Sequence, residues 1–141
     1  DIRIASEAAS FAESFVKLCL IPGDGGAWFL PRAVGVSNAN YMSFTGESIK
    51  ADKALQMGLV SEVVTSEKLM ARAMEIAQLI AKNPPHAVRL AKQLIKGSEK
   101  STLDETLDKS ASFQAVCHAE PDHQEAIAAF FEKRDGNYRK R

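Results

Sequence analysis

The chain has 141 residues, 45% of them hydrophobic, and its 18 Lys and Arg balance 18 Asp and Glu to a formal net charge of zero. That length suits one domain with a core of its own. The charge balance excludes a general attraction to nucleic acid or to an anionic membrane; the basic ending from Tyr138 to Arg141 is a local exception and reads as a solvated tail. No run of about twenty apolar residues occurs, so no membrane span is expected, and the first residues carry no signal-peptide pattern. The two cysteines, Cys19 and Cys117, are far apart and in no metal-ligand spacing. Each reads as a small buried apolar group in a reduced compartment.

Taken in chain order, Asp1 to Ser6 alternates polar and apolar residues and predicts a short strand. Phe11 to Leu20 is mixed and fits either a short helix or a strand. Pro22, Gly23, Gly25 and Gly26 then force a turn that contains Asp24, and a helix with Trp28, Phe29 and Leu30 is expected just after it. Ser37 is placed to cap a helix ending at Gly46, and Ser48 to cap another through Ala51, Ala54 and Leu55 that stops at Gly58. Leu59 to Val64 is rich in β-branched residues and predicts a strand.

Beyond Thr65 the pattern is helical. One helix opens at Thr65 or Ser66 with Leu69, Ala73, Ile76, Ala77 and Ile80 on one face. Pro84 and Pro85 restart a second, which stops at Gly97. Thr102 and Glu105 have capping-box spacing ahead of a third, and a last helix starts near Pro121 or Asp122 and ends before Gly136. The chain thus divides into a mixed α/β segment over 1–64 and a helical segment over 65–141.

Four motifs stand in a fixed order along this path: IPGDGG (Ile21 to Gly26), LPRAVG (Leu30 to Gly35), FTGESIKADKAL (Phe44 to Leu55) and GLVSEVV (Gly58 to Val64). Together they resemble the crotonase superfamily, the enoyl-CoA hydratase/isomerase proteins that act on acyl-CoA thioesters. The resemblance covers the whole chain and places it as the C-terminal half of such a protein. It implies a helix-rich α/β fold. Residues 1–64 would close a spiral of ββα units, and 65–141 would form a helical region for trimerisation and for covering the site. It also implies a homo-oligomer, trimer or hexamer, in the cytoplasm or in a mitochondrial matrix. A coenzyme A thioester would be the substrate, with no metal and no further cofactor required. The two backbone amides that hold the thioester carbonyl in this family would lie in the missing N-terminal half, as would one of the two hydratase glutamates.

The second hydratase glutamate falls on Phe15, an apolar ring that cannot transfer a proton. Glu13, two residues earlier, either substitutes for it or is a surface or hydrogen-bonded carboxylate. Asp24 has two readings: a carboxylate that accepts backbone N–H groups at a helix start, or an acid/base near the acyl group. Gly25 and Gly26 let the backbone approach a ligand or a strand closely. Trp28 either lines an acyl pocket or is core, and Arg32 reads as an internal hydrogen-bonding residue. Near the end, Phe130 and Lys133 match family positions that hold the CoA nucleotide, a ring for adenine and an ammonium for phosphate. The competing reading makes Phe130 helix core and Lys133 a solvated cation. Gln114, rather than Phe113, is the nearer match to a further aromatic contact in the family. His86, His118 and His123 show no ligand spacing and read as surface residues. A non-catalytic module that oligomerises or binds CoA is the alternative function.

Overall fold

The computed structural model describes residues 1–138; Arg139 to Arg141, most of the basic tail, lie outside the described residues. The chain forms two compact units, Asp1–Met74 and Glu75–Arg141.

The first unit opens with β1 (Ile4–Ser6), which pairs in parallel with β4 (Glu62–Val64) so that Ala5 stands opposite Val63. A second pair is antiparallel: β2 (Ser10–Phe11) meets β3 (Ile49–Lys50), with Phe11 opposite Ile49. The ambiguous segment after β2 resolves as a single 3-10 turn, Phe15–Leu18, which Cys19 closes in the left-handed region at φ 56°. Cys19 is exposed, so its thiol is not the buried apolar group expected from the sequence.

The helix predicted after the glycine turn is α1 (Gly26–Thr45). It has two arms that meet at Gly35, where φ 76° and ψ 159° leave the helical region. Only glycine adopts such angles without strain. The Asn38 side-chain amide donates to the Val34 carbonyl at 2.9 Å and so serves an acceptor at the break. The second arm resumes directly after Gly35, so Ser37 lies inside its first turn rather than at a cap. Gly46 does end the helix, at φ 60° with its N–H bonded to the Met42 carbonyl. Ser48 is not a cap either; Lys50 holds that place ahead of α2 (Ala51–Gln56), because the extended β3 pairing occupies the residues between. Gly58, at φ 78°, closes the turn beyond α2.

Ala5, Leu30, Val34, Ala39, Met42, Ile49, Ala54 and Val60 form the core of this unit, with Phe11, Met57 and Val63 packed on its margin. The strand ends are tied to it by Arg3, whose guanidinium donates to the Leu59 and Gly58 carbonyls. Arg72 grips both oxygens of Glu62 at 2.8 and 3.1 Å, fixing the end of β4 to α3 (Leu69–Ala81).

In the second unit, α4 (Pro85–Ser98) starts on the double proline as expected. It packs along α5 (Leu103–Ala119). The Thr102 capping box is complete: Glu105 N–H donates to Thr102 Oγ1 at 3.3 Å, and Thr102 N–H donates to Glu105 Oε2 at 2.8 Å. These bonds hold the Glu105 carboxyl below its ordinary pKa, the backbone bond being the larger cause. A one-residue joint at Glu120 leads into α6 (Pro121–Glu132).

Met42 is 2% exposed at the centre of the first unit's core. Met42→Ala removes its contacts and leaves a cavity, and is expected to lower the unfolding free energy by about 2–5 kcal/mol. Urea unfolding of the purified variant checks this; a loss under about 0.5 kcal/mol, the range of surface substitutions, is the contrary result.

Candidate functional site

The site is built on the turn that launches α1. Gly23 N–H closes on the Ile21 carbonyl at 2.7 Å, and Gly25 sits in the left-handed region at φ 98°. The Gly25 carbonyl then takes the first helical bonds, from Trp28 N–H at 2.9 Å and Phe29 N–H at 3.0 Å. The Phe29 ring lies against Gly25, where a Cβ would stand 3.1 Å from it. Both the backbone angle and the ring therefore demand glycine.

Asp24 accepts the Gly26 N–H on Oδ1 at 2.9 Å. This satisfies one of the unpaired amides of the first turn and sets a negative group at the positive end of the helix. Glu13 reaches the same glycine from the preceding loop. A Cβ on Gly26 would fall 2.6 Å from Glu13 Oε1 and 3.1 Å from Asp24 Oδ1, so the two carboxyls converge on one backbone carbon. Glu13 Oε1 is buried and has no hydrogen-bond partner. Desolvation, and after it the charge of Asp24, raises the Glu13 pKa above its ordinary 4.5. Both effects disfavour the ionised form. Glu13 is thus a half-buried carboxyl with one unpartnered oxygen.

Phe15 stands at the start of the 3-10 turn, half-buried. Trp28 is 44% exposed and is not core. One ring face is covered by the Arg32 guanidinium, 3.2 Å from the ring centroid, while Arg32 Nη1 donates to the Trp28 carbonyl at 3.0 Å. Arg32 is exposed rather than internal, and it clamps Trp28 with a cation–π contact and a helical hydrogen bond.

Phe130 and Lys133 belong to the second unit. Phe130 is 78% exposed, so its ring is not the helix core. It meets Phe131 edge to face, with centroids 5.7 Å apart. Lys133 closes α6 as its C-cap in the left-handed region at φ 55° and is exposed. The next residue anchors this corner. Arg134 binds Glu125 and Glu132, and Asn137 N–H donates to Glu125 at 2.8 Å. Arg134, then the Asn137 amide, holds the Glu125 carboxyl down to about 2.

The histidines are more connected than their spacing suggested. His86 Nδ1 lies 3.2 Å from Glu120 Oε1, and His118 Nδ1 lies 3.1 Å from His123 Nε2. Among the described residues, no group of three or more His, Cys, Asp and Glu is placed to hold a metal ion, and no helix is long and apolar enough to cross a membrane.

A family profile described as enoyl-CoA hydratase/isomerase matches residues 1–141. A short-chain-enoyl-CoA hydratase from Clostridium acetobutylicum is 42% identical over 134 residues, covering 95% of this chain and 51% of that protein. A 1,2-epoxyphenylacetyl-CoA isomerase from Escherichia coli is 36% identical over 138 residues, 98% of this chain and 53% of its own length. Among solved structures, an enoyl-CoA hydratase from Bacillus anthracis superposes with a TM-score of 0.95 at 40% identity, over 98% of this chain and 54% of that one. The chain spans about half the length of these relatives. The expected helix-rich α/β architecture of a C-terminal half agrees with this coverage.

The state of Glu13 is open to measurement. Its folded-state pKa is raised, so it adds stability that is complete below its unfolded pKa near 4.5 and fades as pH rises through the folded value. Glu13→Gln cannot ionise. Its urea midpoint is expected to gain on the wild type as pH is raised from about 4 to about 8; a difference that stays constant over that range shows that Glu13 is not perturbed.

Proposed function

The chain belongs to the enoyl-CoA hydratase/isomerase family, and on that premise we propose that the protein acts on an acyl-CoA thioester by enolate-stabilised hydration or isomerisation. In this reading the acyl group lies at the glycine turn, against Gly25, Gly26, Phe15 and Trp28. Asp24 is the acid/base and Glu13 lies beside it. Phe130 and Lys133 hold the CoA nucleotide, the ring by stacking and the ammonium by its charge. The amide donors for the thioester carbonyl come from the remaining half of the protein. The working form is a homo-oligomer, trimer or hexamer, in the cytoplasm or in a mitochondrial matrix, and it requires no cofactor beyond the substrate's own CoA.

The observation that carries the reading is the fixed carboxylate at the helix start, Asp24 Oδ1 held by Gly26 N–H at 2.9 Å with Glu13 on the same glycine. A general base needs a defined position before it needs a particular pKa. The exposed Phe130 ring supports the nucleotide role, because stacking requires an open face.

Two outcomes are expected. In the full-length protein, Asp24→Asn lowers kcat on crotonyl-CoA by about 10²–10⁴-fold with KM little changed. Wild-type kcat in that variant removes Asp24 from the chemistry. The second concerns the 141-residue chain by itself. It is expected to show no turnover, since the carbonyl-holding donors are absent. Measurable hydration by the purified chain overturns that assignment, whereas CoA binding without turnover by the full-length protein supports a non-catalytic module instead.

A further inference from the structure

We propose that Arg32 is a positioning residue for Trp28, and that the indole it holds is the specificity-determining wall of the acyl site. The wall selects thioesters with a flat aryl tail over short aliphatic ones, an inference that rests on placing the acyl group at the glycine turn and adds the class of that group.

Trp28 stands between the motifs IPGDGG and LPRAVG, on the first turn of α1. Side chains of an α-helix lean back toward its N-terminus, which carries the indole toward the glycine turn. Arg32 comes one helical turn later, on the same face. Its guanidinium holds Trp28 at two points. It stacks on the ring 3.2 Å from the centroid, and Nη1 donates to the Trp28 carbonyl at 3.0 Å. One contact is to the side chain and the other to the backbone of the same residue. Together they fix how the ring is turned about its own Cα. A guanidinium can do both because it is planar, with donors along its edge and a cationic face; an ammonium has no plane to stack.

Fixing a large side chain at a surface costs rotamer freedom. With the guanidinium in place, Trp28 is still 44% exposed. A ring that is both held and open is suited to contact with another molecule. Its neighbours are aromatic too. The Phe29 ring lies against Gly25, 3.1 Å from where a Cβ would stand, and Phe15 opens the 3-10 turn that packs on α1. Aromatic groups favour offset or edge-to-face partners with centroids about 4.5–7 Å apart, an arrangement that an aryl tail can enter and a methyl cannot. A butanoyl group gains only buried area from such a wall, whereas a phenyl group gains area and ring contact. A cation–π pair that merely steadied the helix start would affect all thioesters alike.

Calorimetric titration of the full-length protein with 3-phenylpropanoyl-CoA and butanoyl-CoA tests the proposal. Both are saturated, so neither has a double bond to hydrate or move. Both carry the CoA nucleotide, so damage to the fold weakens them together and cancels in their affinity ratio. Wild type is expected to bind the phenyl thioester about tenfold tighter or more; equal affinities overturn the proposal. Trp28→Ala is expected to bring the ratio close to one, and Trp28→Phe to keep most of it. Arg32→Leu removes the donors and the cation and is expected to lower the ratio by about threefold or more. Arg32→Lys keeps the charge without the plane and is expected to fall between Arg32→Leu and wild type. If Trp28→Ala lowers the ratio while Arg32→Leu keeps it, Arg32 does not position the ring and this inference alone is overturned. If Trp28→Ala leaves both affinities at wild-type values, the acyl group does not lie at the glycine turn and the underlying reading fails. Should Arg32→Leu not fold, as judged by circular dichroism, Arg32→Lys decides: an unchanged ratio overturns the proposal, and a reduced one upholds it.

Discussion

A carboxylate can be held at the first turn of a helix only where the backbone leaves room for it, and the Asp24–Gly26 contact meets that condition with unusual economy. The Gly26 amide would be unpaired in any helix start; here it donates to Asp24 Oδ1 at 2.9 Å. The preceding Gly25, at φ 98°, turns the chain so that this amide and the aspartate face each other. A residue with a Cβ at position 25 would have to enter the left-handed region at a cost of about 1–2 kcal/mol and would also press on the Phe29 ring. The turn, the helix start and the position of the acid are therefore one structural decision.

The electrostatics follow from that decision. Two carboxyls approach one glycine, and their surroundings differ. One is given a donor and a helix terminus; the other is given burial and a negative neighbour. Phe130 and Lys133 are exposed, and the Arg134–Glu125 ion pair lies one residue further on. The two groups of candidate residues thus differ in kind: one is held at a helix start by the backbone, the other is presented to solvent as a ring and a charge.

Much of this fold could be read from punctuation in the sequence. Gly46 and Gly58 stop helices because each takes a positive φ, and the double proline and the Thr102–Glu105 box start them through local backbone chemistry. Such signals act over four residues and survive without tertiary context. Ser37 and Ser48 misled because capping depends on what the neighbouring backbone does. At Gly35 the chain kinks and resumes at once, and at Ile49 it pairs with Phe11 before α2 begins. The acidic site was half legible. Asp24 and the glycines were visible as a turn, but the approach of Glu13 to Gly26 spans thirteen residues of irregular chain and follows no periodicity. The exposure of Cys19, Trp28 and Phe130 is a matter of packing and likewise leaves no local trace.

The pattern of exposure has its own physical meaning. The buried core is made of Ala, Val, Leu, Ile and Met, while the larger rings lie outside: Phe29 is 69% exposed, Phe44 72% and Phe131 78%. Burying such a side chain fully stabilises a protein by about 1.5–3 kcal/mol, so a chain that leaves many of them in water forgoes a large part of its possible stability. Exposed apolar side chains in such number are unusual on a protein surface that meets only water. The chain spans only 51% of one relative's length and 53% of another's. Among the described residues the strands pair only two by two, β1 with β4 and β2 with β3. Local geometry at the glycine turn is thus set within this chain by Gly25, Gly26 and Asp24, while much of the chain's large apolar side-chain surface adds nothing to its core.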